Sequence, residues 1–416
     1  MQLSSEERDI AAGSRGEAQA MAMRIVAETG RLLGADRLIP VHSSHIDGAL
    51  YHGDSGVLFA EKLVELGGKV AVPSTLNVGG LDLMNPTRVR LTGQRRDMAL
   101  RLMKAYEALG CKSTWTCSPY QAGHRPPTGV DVAWGESNAV AFCNSVLGAR
   151  TNRYGDFLDI ACALIARAPR YGLHLPENRR ARLLVDTSGL SAALRDVDAF
   201  WPVIGAWVGR RAGNRIVAID GLQASANEDR MKALGAAAAS YGAVGLFHIL
   251  GVTPEAKTKQ DAFGEAGPEE AIRITADMVR EARGWLSTAS DENVDAIAVG
   301  SPHLSFDEMI EIHDRLGDRK VKLPFYAHTG RHVLKKLEAE GKLGSFQNAG
   351  ITIVADTCIV ATPILPDKIG TLLTNSGKFA NYTPGNTGWA VVYGSMAECV
   401  ETAVRGQIVR DEVLWQ

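Results

Sequence analysis

The sequence predicts an α/β protein of more than one subdomain, with mostly parallel sheets covered by helices. Three observations point there. Short apolar runs of strand length alternate with helix-period segments through the second half of the chain. At 416 residues the chain exceeds what one hydrophobic core usually serves, so two or three subdomains are expected. Small polar residues follow directly on several apolar runs, and ligands of parallel sheets bind beyond the carboxyl ends of strands.

The first element is a helix opened by Ser4-x-x-Glu7, a capping box. A second helix is expected from about Ser14, with Ala18, Met21, Ala22, Ile25 and Val26 on one face. Residues 38–40 read as a strand running into Val41-His42-Ser43-Ser44-His45, and residues 69–73 repeat that plan before Ser74-Thr75-Leu76-Asn77. Met98, Leu102, Ala105, Tyr106 and Leu109 form a helical stripe closed by Gly110. Later strands are expected at 183–185, 216–219, 243–250, 296–299, 323–326 and 351–354. Helices are expected at 226–239 and from Pro268, since Pro suits a first helical turn. The expected division is a body of residues 1–180 with 351–416, carrying most site segments, and an α/β subdomain of residues 181–350.

Composition narrows the function. Lys and Arg number 45 against 47 Asp and Glu, with no basic run, which argues against nucleic acid and anionic membranes. No apolar stretch reaches the roughly 18 residues of a membrane span, and the first residues lack a signal-peptide pattern. A cytoplasmic location is therefore expected. There the six cysteines stay reduced, so each is buried filler or a functional thiolate. The G-x-G-x-x-G, G-x-S-x-G, H-E-x-x-H and C-x-x-C signatures are absent, and Ser376-Gly377-Lys378 is followed by Phe379 rather than the Ser/Thr of a phosphate loop.

Six polar segments remain as site candidates: 42–48, 74–80, 116–120, 134–153, 356–358 and 375–385. Read as a helix, 134–153 places Glu136, Val140, Cys143 and Leu147 along one side, so a carboxylate and a thiol would share one volume. Arg150 and Arg153, flanking Thr151 and Asn152, read first as structural ion pairs and second as a bidentate hold on a substrate carboxylate. Cys117 and Cys358 end short runs and read either as small hydrophobes or as thiolates that meet around iron. His303 and His328, also at strand ends, read as acid–base groups or as satisfied core histidines.

These residues resemble a known family. Glu136-Ser137-Asn138-Ala139-Val140 and Asn144-Ser145-Val146-Leu147-Gly148-Ala149-Arg150-Thr151-Asn152-Arg153 look like the hallmark of the aconitase X catalytic subunit. The likeness continues through Val72-Pro73-Ser74-Thr75-Leu76-Asn77, Tyr171-Gly172-Leu173-His174-Leu175, Gly300-Ser301-Pro302-His303, Asp356-Thr357-Cys358 and Ser376-Gly377-Lys378. The resemblance implies an aconitase-like catalytic fold and a dehydratase with an iron–sulphur cluster, acting on cis-3-hydroxy-L-proline or on mevalonate 5-phosphate. It assigns Cys117 and Cys358 to the cluster. Ser301 stands where some members have cysteine, so Cys143 becomes the candidate third ligand of a smaller cluster, such as one of two irons and two sulphurs. It further implies a small swivelling domain, here expected as a separate small subunit that supplies a catalytic serine.

The reading is a hydro-lyase (dehydratase) in which iron acts as Lewis acid on the leaving hydroxyl of a small hydroxy acid. The favoured reaction is cis-3-hydroxy-L-proline to Δ1-pyrroline-2-carboxylate, because Asp47 and Glu136 beside His42 and His45 suit an ammonium. The alternatives are a mevalonate 5-phosphate dehydratase large subunit, and a non-catalytic iron–sulphur regulator or binding subunit. Catalytic candidates are Lys378, Glu136, Ser118 and His303. Ser43, Ser44, Thr75, Asn77, Tyr120, Ser137, Asn138, Arg150 and Arg153 are expected to bind substrate, with Arg150, Arg153 and Lys378 holding its anionic groups. Cys117, Cys143 and Cys358 are the metal candidates.

Overall fold

The computed structural model describes residues 1–289 and 293–415. It is mixed α/β, and its chain divides into two units: Met1–Leu81 with Leu91–Arg180, and Asp82–Arg90 with Ala181–Gln416.

The first unit begins with the helix Ser5–Ala11. The Ser4 hydroxyl accepts from the Glu7 amide at 3.2 Å and the Glu7 carboxylate accepts from the Ser4 amide at 2.8 Å, so the capping box forms as read. The helix Glu17–Leu32 buries Ala18, Ala22, Met23 and Val26 along one face. The strands Leu38–Pro40 and Arg167–Pro169 pair antiparallel. The site-bearing sheet has three short parallel strands, Ser74–Leu76, Ser44–Ile46 and Ala133–Trp134, with Ser44–Ile46 in the middle. Residues 69–73, expected as a strand, lie outside it. Their polar tail Ser74-Thr75 forms the strand instead, directly after Pro73, which has no amide to donate to a ladder. Beneath the sheet the helix Leu158–Ile165 is buried along its length.

The second unit holds two parallel sheets. One has the order Phe247–Ile249, Val217–Asp220, Leu183–Asp186, Glu270–Arg273. The other has the order Ile351–Val354, Phe325–Thr329, Ala296–Leu304, Thr371–Thr374, Ala390–Tyr393. Residues 351–416, expected with 1–180, group with 181–350 instead, because three strands after Ile351 pair into the sheet around Ala296–Leu304. The stretch from Pro268 is also not a helix start. Glu270–Arg273 pairs along its length with Leu183–Asp186, and the helix Ala276–Gly284 begins later, where the Thr275 hydroxyl accepts from the Met278 amide at 3.3 Å. Helices Phe200–Ala212 and Glu228–Gly242 meet backbone to backbone. A Cβ at Gly242 would stand 1.7 Å from the Gly209 carbonyl oxygen, so only glycine fits. Among the described residues, no helix is long and apolar enough to cross a membrane.

Candidate active site

The carboxyl ends of the three short strands of the first unit bring Asp47, Asn77 and Glu136 to one edge. The Asn77 amide donates to the Ile46 carbonyl and the Gly135 amide to the His45 carbonyl, both at 2.9 Å, so the chain leaves each strand in register. Asn77 Nδ2 donates to Asp47 Oδ1 at 2.5 Å, and the Asp47 amide donates to the buried Asp159 carboxyl at 2.6 Å. Burial pushes the Asp159 pKa well above the usual carboxylate range. Alternation along Ser44–Ile46 sends neighbouring side chains to opposite faces. Ser44 Oγ turns to backbone, donating to the Ala133 carbonyl at 2.5 Å, whereas Ser43 Oγ is buried with no protein partner. His45 stands level with Thr75 and Trp134 in the ladder. Its Nδ1 lies 2.9 Å from Thr75 Oγ, which in turn lies 2.6 Å from His124 Nδ1. Burial holds both imidazoles neutral, His45 at about 3 and His124 at about 4.

Residues 134–153 do not form one helix. Trp134 ends a strand, Glu136 is the extended N-cap of the helix Ser137–Phe142, and Cys143–Leu147 is a π-helical turn closed by Gly148 in the left-handed conformation. The inferred alignment of Glu136 with Cys143 on one helical face is therefore lost. Asn144 explains the widened turn: its side chain binds both the amide and the carbonyl of Thr151, at 3.0 and 2.9 Å. Glu136 accepts from the Ala139 amide at 2.7 Å and from Asn138 Nδ2 at 2.5 Å, and Ser137 Oγ donates to it at 3.3 Å. Asn138 Nδ2 also donates to the Cys117 carbonyl at 3.2 Å, tying the Cys117 turn to the Glu136 cap. Tyr120 stacks on Phe142 with ring centroids 3.6 Å apart and points its hydroxyl at Ser118 and Asn138. Cys143 is fully buried among Val140, Phe142 and Leu147, and burial raises its thiol pKa. Arg150 is half-buried with no protein partner for its Nε, and Arg153 is exposed.

In the second unit, Asp356, Thr357 and half-buried Cys358 follow the strand Ile351–Val354. Asp356 adopts φ +63° and is fully buried, accepting from Arg331 Nε at 2.6 Å and Nη2 at 2.7 Å, and from the Leu83 amide at 3.2 Å. His303 is fully buried with its Nε2 3.4 Å from the Thr357 carbonyl, and burial lowers it to about 3. His328 accordingly sits in the core, its Nδ1 2.8 Å from the Val299 carbonyl. Ser376 Oγ donates to the Ser301 carbonyl and caps the helix Gly377–Thr387, which places Lys378 in the first turn.

Sequence reasoning missed His124, Asp159 and Arg331. An isolated histidine in a loop and a lone acid inside an apolar helix carry no periodic signal, whereas Asp356 was already marked by its motif.

Among the described residues, no group of three or more His, Cys, Asp or Glu side chains is gathered as a metal site. The thiols differ in setting. Cys117 lies between Thr116 and Ser118, whose amide donates to the Thr116 hydroxyl, and Cys358 lies beside Thr357, its carbonyl accepting from the Thr362 hydroxyl. A thiol is the donor type an iron–sulphur cluster takes, whereas Cys143 has apolar neighbours.

Three family models match the chain: Aconitase X first domain at residues 1–177, second domain at 181–284 and third domain at 294–405. The chain is 40% identical over 412 residues to a cis-3-hydroxy-L-proline dehydratase of Pseudomonas aeruginosa, covering 97% of this chain and 70% of that protein. It is 37% identical over 386 residues to the phosphomevalonate dehydratase large subunit of Methanothermobacter thermautotrophicus, covering 92% and 93%. The crystal structure of Thermococcus kodakaraensis aconitase X in its holo-form superposes with a TM-score of 0.87 at 33% identity, covering 97% of this chain and all of that one.

Proposed function

The chain belongs to the aconitase X family, and on that footing we propose that it is a hydro-lyase converting cis-3-hydroxy-L-proline to Δ1-pyrroline-2-carboxylate. The observation that carries the substrate is the 40% identity, along nearly the whole chain, to a dehydratase named for it. Such an enzyme serves hydroxyproline metabolism. Six free cysteines suit work in a reducing cytoplasm.

Cys117 and Cys358 are the proposed iron–sulphur ligands, with Cys143 the candidate third. The cluster, when bound, supplies a Lewis acid for the departing hydroxyl. The chain's own groups do the rest. Glu136 accepts from the Ala139 amide and from Asn138 Nδ2, and a carboxylate there suits a substrate ammonium. Arg150, with its Nε open, suits the carboxylate, and Arg153 and Lys378 add positive charge. Ser43 and Asn77 offer a buried hydroxyl and a buried carbonyl oxygen without protein partners. Ser118, Tyr120, Ser137 and Asn138 position the Cys117 turn and the Glu136 carboxylate. His303, neutral and turned to the Thr357 carbonyl, acts by holding the Cys358 loop.

A match over 93% of a protein named as a large subunit supports a separate small-subunit partner and keeps mevalonate 5-phosphate as the second reading. The test is to assemble the anaerobically purified chain with its small subunit and assay both compounds. Turnover of cis-3-hydroxy-L-proline, lost together with bound iron in Cys117→Ala and Cys358→Ala, is expected. Turnover of the phosphorylated compound alone would overturn the substrate.

A further inference from the structure

We propose that Arg179 is a positioning residue for the dehydration, pinning the backbone from which Arg150 offers its guanidinium to the substrate carboxylate. The proposal deepens the hydro-lyase reading and rests on it for the reaction served.

The backbone around Arg150 is fully accounted for. The Ala149 amide donates to the Cys143 carbonyl at 3.2 Å and the Arg150 amide to the Val130 carbonyl at 2.8 Å, while the Arg150 carbonyl accepts from the Val132 amide at 2.9 Å. Asn144 takes both groups of Thr151, and the Ala149 carbonyl accepts from Arg179 Nη2 at 3.3 Å. All six backbone polar groups of residues 149–151 are thus held, as chain packed away from water demands. The Arg150 side chain differs, because its Nε is buried with no protein partner. An open donor on a fixed mount is what a binding site needs, since a group already held in place loses little freedom when its ligand arrives.

Arg179 is the joint in that mount. It keeps only 4% exposure, and its fork reaches four oxygens. Nη1 donates to Asn144 Oδ1 and to the Leu173 carbonyl, both at 2.9 Å, and Nη2 donates to the Asn144 carbonyl at 3.2 Å as well as to that of Ala149. The last carbonyls of a helix lie outside its own ladder, and the π-helical turn Cys143–Leu147 ends here, so the guanidinium closes it. Asn144 Oδ1 is shared between Arg179 and the Thr151 amide. Losing the fork therefore loosens Ala149 directly and Thr151 through Asn144, the residues on either side of Arg150. Lysine would keep the charge but not the planar array of donors.

The segment that carries Arg179 is anchored to the same loop. Asn152 Oδ1 accepts from the Leu173 amide at 2.8 Å, and its Nδ2 donates to the Tyr171 carbonyl at 3.1 Å. Between them Gly172 takes φ +56°, and a Cβ there would stand 2.2 Å from Asn152 Oδ1, so only glycine fits. His174 Nε2 lies 2.5 Å from the Tyr154 hydroxyl, and its Nδ1 lies 2.7 Å from the carboxylate of Asp131, the bridge partner of Arg150.

The test is a double-substitution cycle in the assembled enzyme. Arg150→Ala is expected to raise KM for the hydroxy acid roughly 30-fold, and Arg179→Lys roughly 10-fold with kcat within about twofold. If Arg179 acts through Arg150, adding Arg179→Lys to Arg150→Ala changes KM by less than about twofold. The same KM increase in both backgrounds, or an Arg150→Ala enzyme with the wild-type KM, would overturn the proposal. Asn144→Ala removes the oxygen that Arg179 and Thr151 share, and it carries the same cycle with the same expectations should Arg179→Lys fail to fold. Hydrogen exchange of the chain alone reads the mount without substrate. In Arg179→Lys the Ala149 and Thr151 amides are expected to exchange roughly 10-fold faster, with those of the helix Leu158–Ile165 unchanged. Unchanged exchange at Ala149 and Thr151 would show that Arg179 pins nothing. If wild type dehydrates neither compound, the dehydratase reading fails, and the exchange pattern alone decides whether Arg179 holds the Arg150 backbone.

Discussion

Around the three-stranded sheet of the first unit, Ser43 Oγ, His45 Nε2, Asn77 Oδ1, His124 Nε2 and Trp134 Nε1 are buried without protein partners. The second unit has open atoms as well, among them His328 Nε2, His332 Nε2 and Thr383 Oγ, but two of its buried charges are closed by pairs: Asp356 by both arms of Arg331, and Lys232 by Asp229 at 2.8 Å and by Glu308. The contrast separates two uses of buried polarity. Neutral atoms left open cost stability and are tolerated where a ligand completes them. Paired charges repay little on balance, but breaking one side strands the other, so they hold a loop in a single arrangement. On the proposed function, the open atoms of the first unit would serve recognition, and the Arg331–Asp356 pair of the second would hold the turn that bears Cys358.

The largest expected effect tests that frame. Arg331→Met leaves the fully buried Asp356 carboxylate without its bidentate partner. We expect a loss of about 3 kcal/mol in urea unfolding, at the low end for a broken buried pair because Arg331 itself keeps 30% exposure. Arg331→Met with Asp356→Asn should recover part of it, since Asn removes the charge and tolerates the positive φ. If the single variant unfolds like wild type, the pair holds nothing, and the contrast between the units loses its second half.

Much of this architecture was legible in the residues themselves. The Ser4–Glu7 box, the stripe ending at Gly110 and the runs at 183–185 and 351–354 each carry a local rule that the structure obeys. The polar tails after the first strands led to the strand ends where Asp47, Asn77 and Glu136 gather. What could not be read depended on distant partners. The π-helical turn at Cys143 follows from Asn144 reaching Thr151, and the edge strand Glu270–Arg273 follows from pairing with residues nearly ninety positions earlier. His124 joins this cluster through the Thr75 hydroxyl, forty-nine positions away, and through the Trp134 ring.

A smaller effect is expected at Glu136, where one carboxylate both caps a helix and faces the polar cluster. Glu136→Ala removes the acceptor for the Ala139 amide and frees Asn138 from it. About 1–2 kcal/mol of stability should go with the cap, measured by urea unfolding. Glu136→Gln keeps an acceptor oxygen and should lose less. Because it removes the charge, it should still raise KM for an ammonium-bearing substrate. Equal KM values for Gln and Glu would mean that the carboxylate serves the fold alone.

The smallest effect has the opposite sign and sharpens the contrast most. Ser43 Oγ is buried with no protein partner, so Ser43→Ala deletes a polar atom that folding desolvates without return. Stability is expected to hold or rise by up to about 1 kcal/mol, the reverse of the Arg331–Asp356 pair in the second unit. If that hydroxyl is kept for a ligand, the gain comes with weaker substrate binding, read as a higher KM at unchanged protein stability or better. A variant that loses stability would show that Ser43 has a structural partner after all. One that gains stability and keeps its KM would show that an open buried hydroxyl can persist for no functional reason, and the remaining open atoms of the first unit would lose their force as markers of the site.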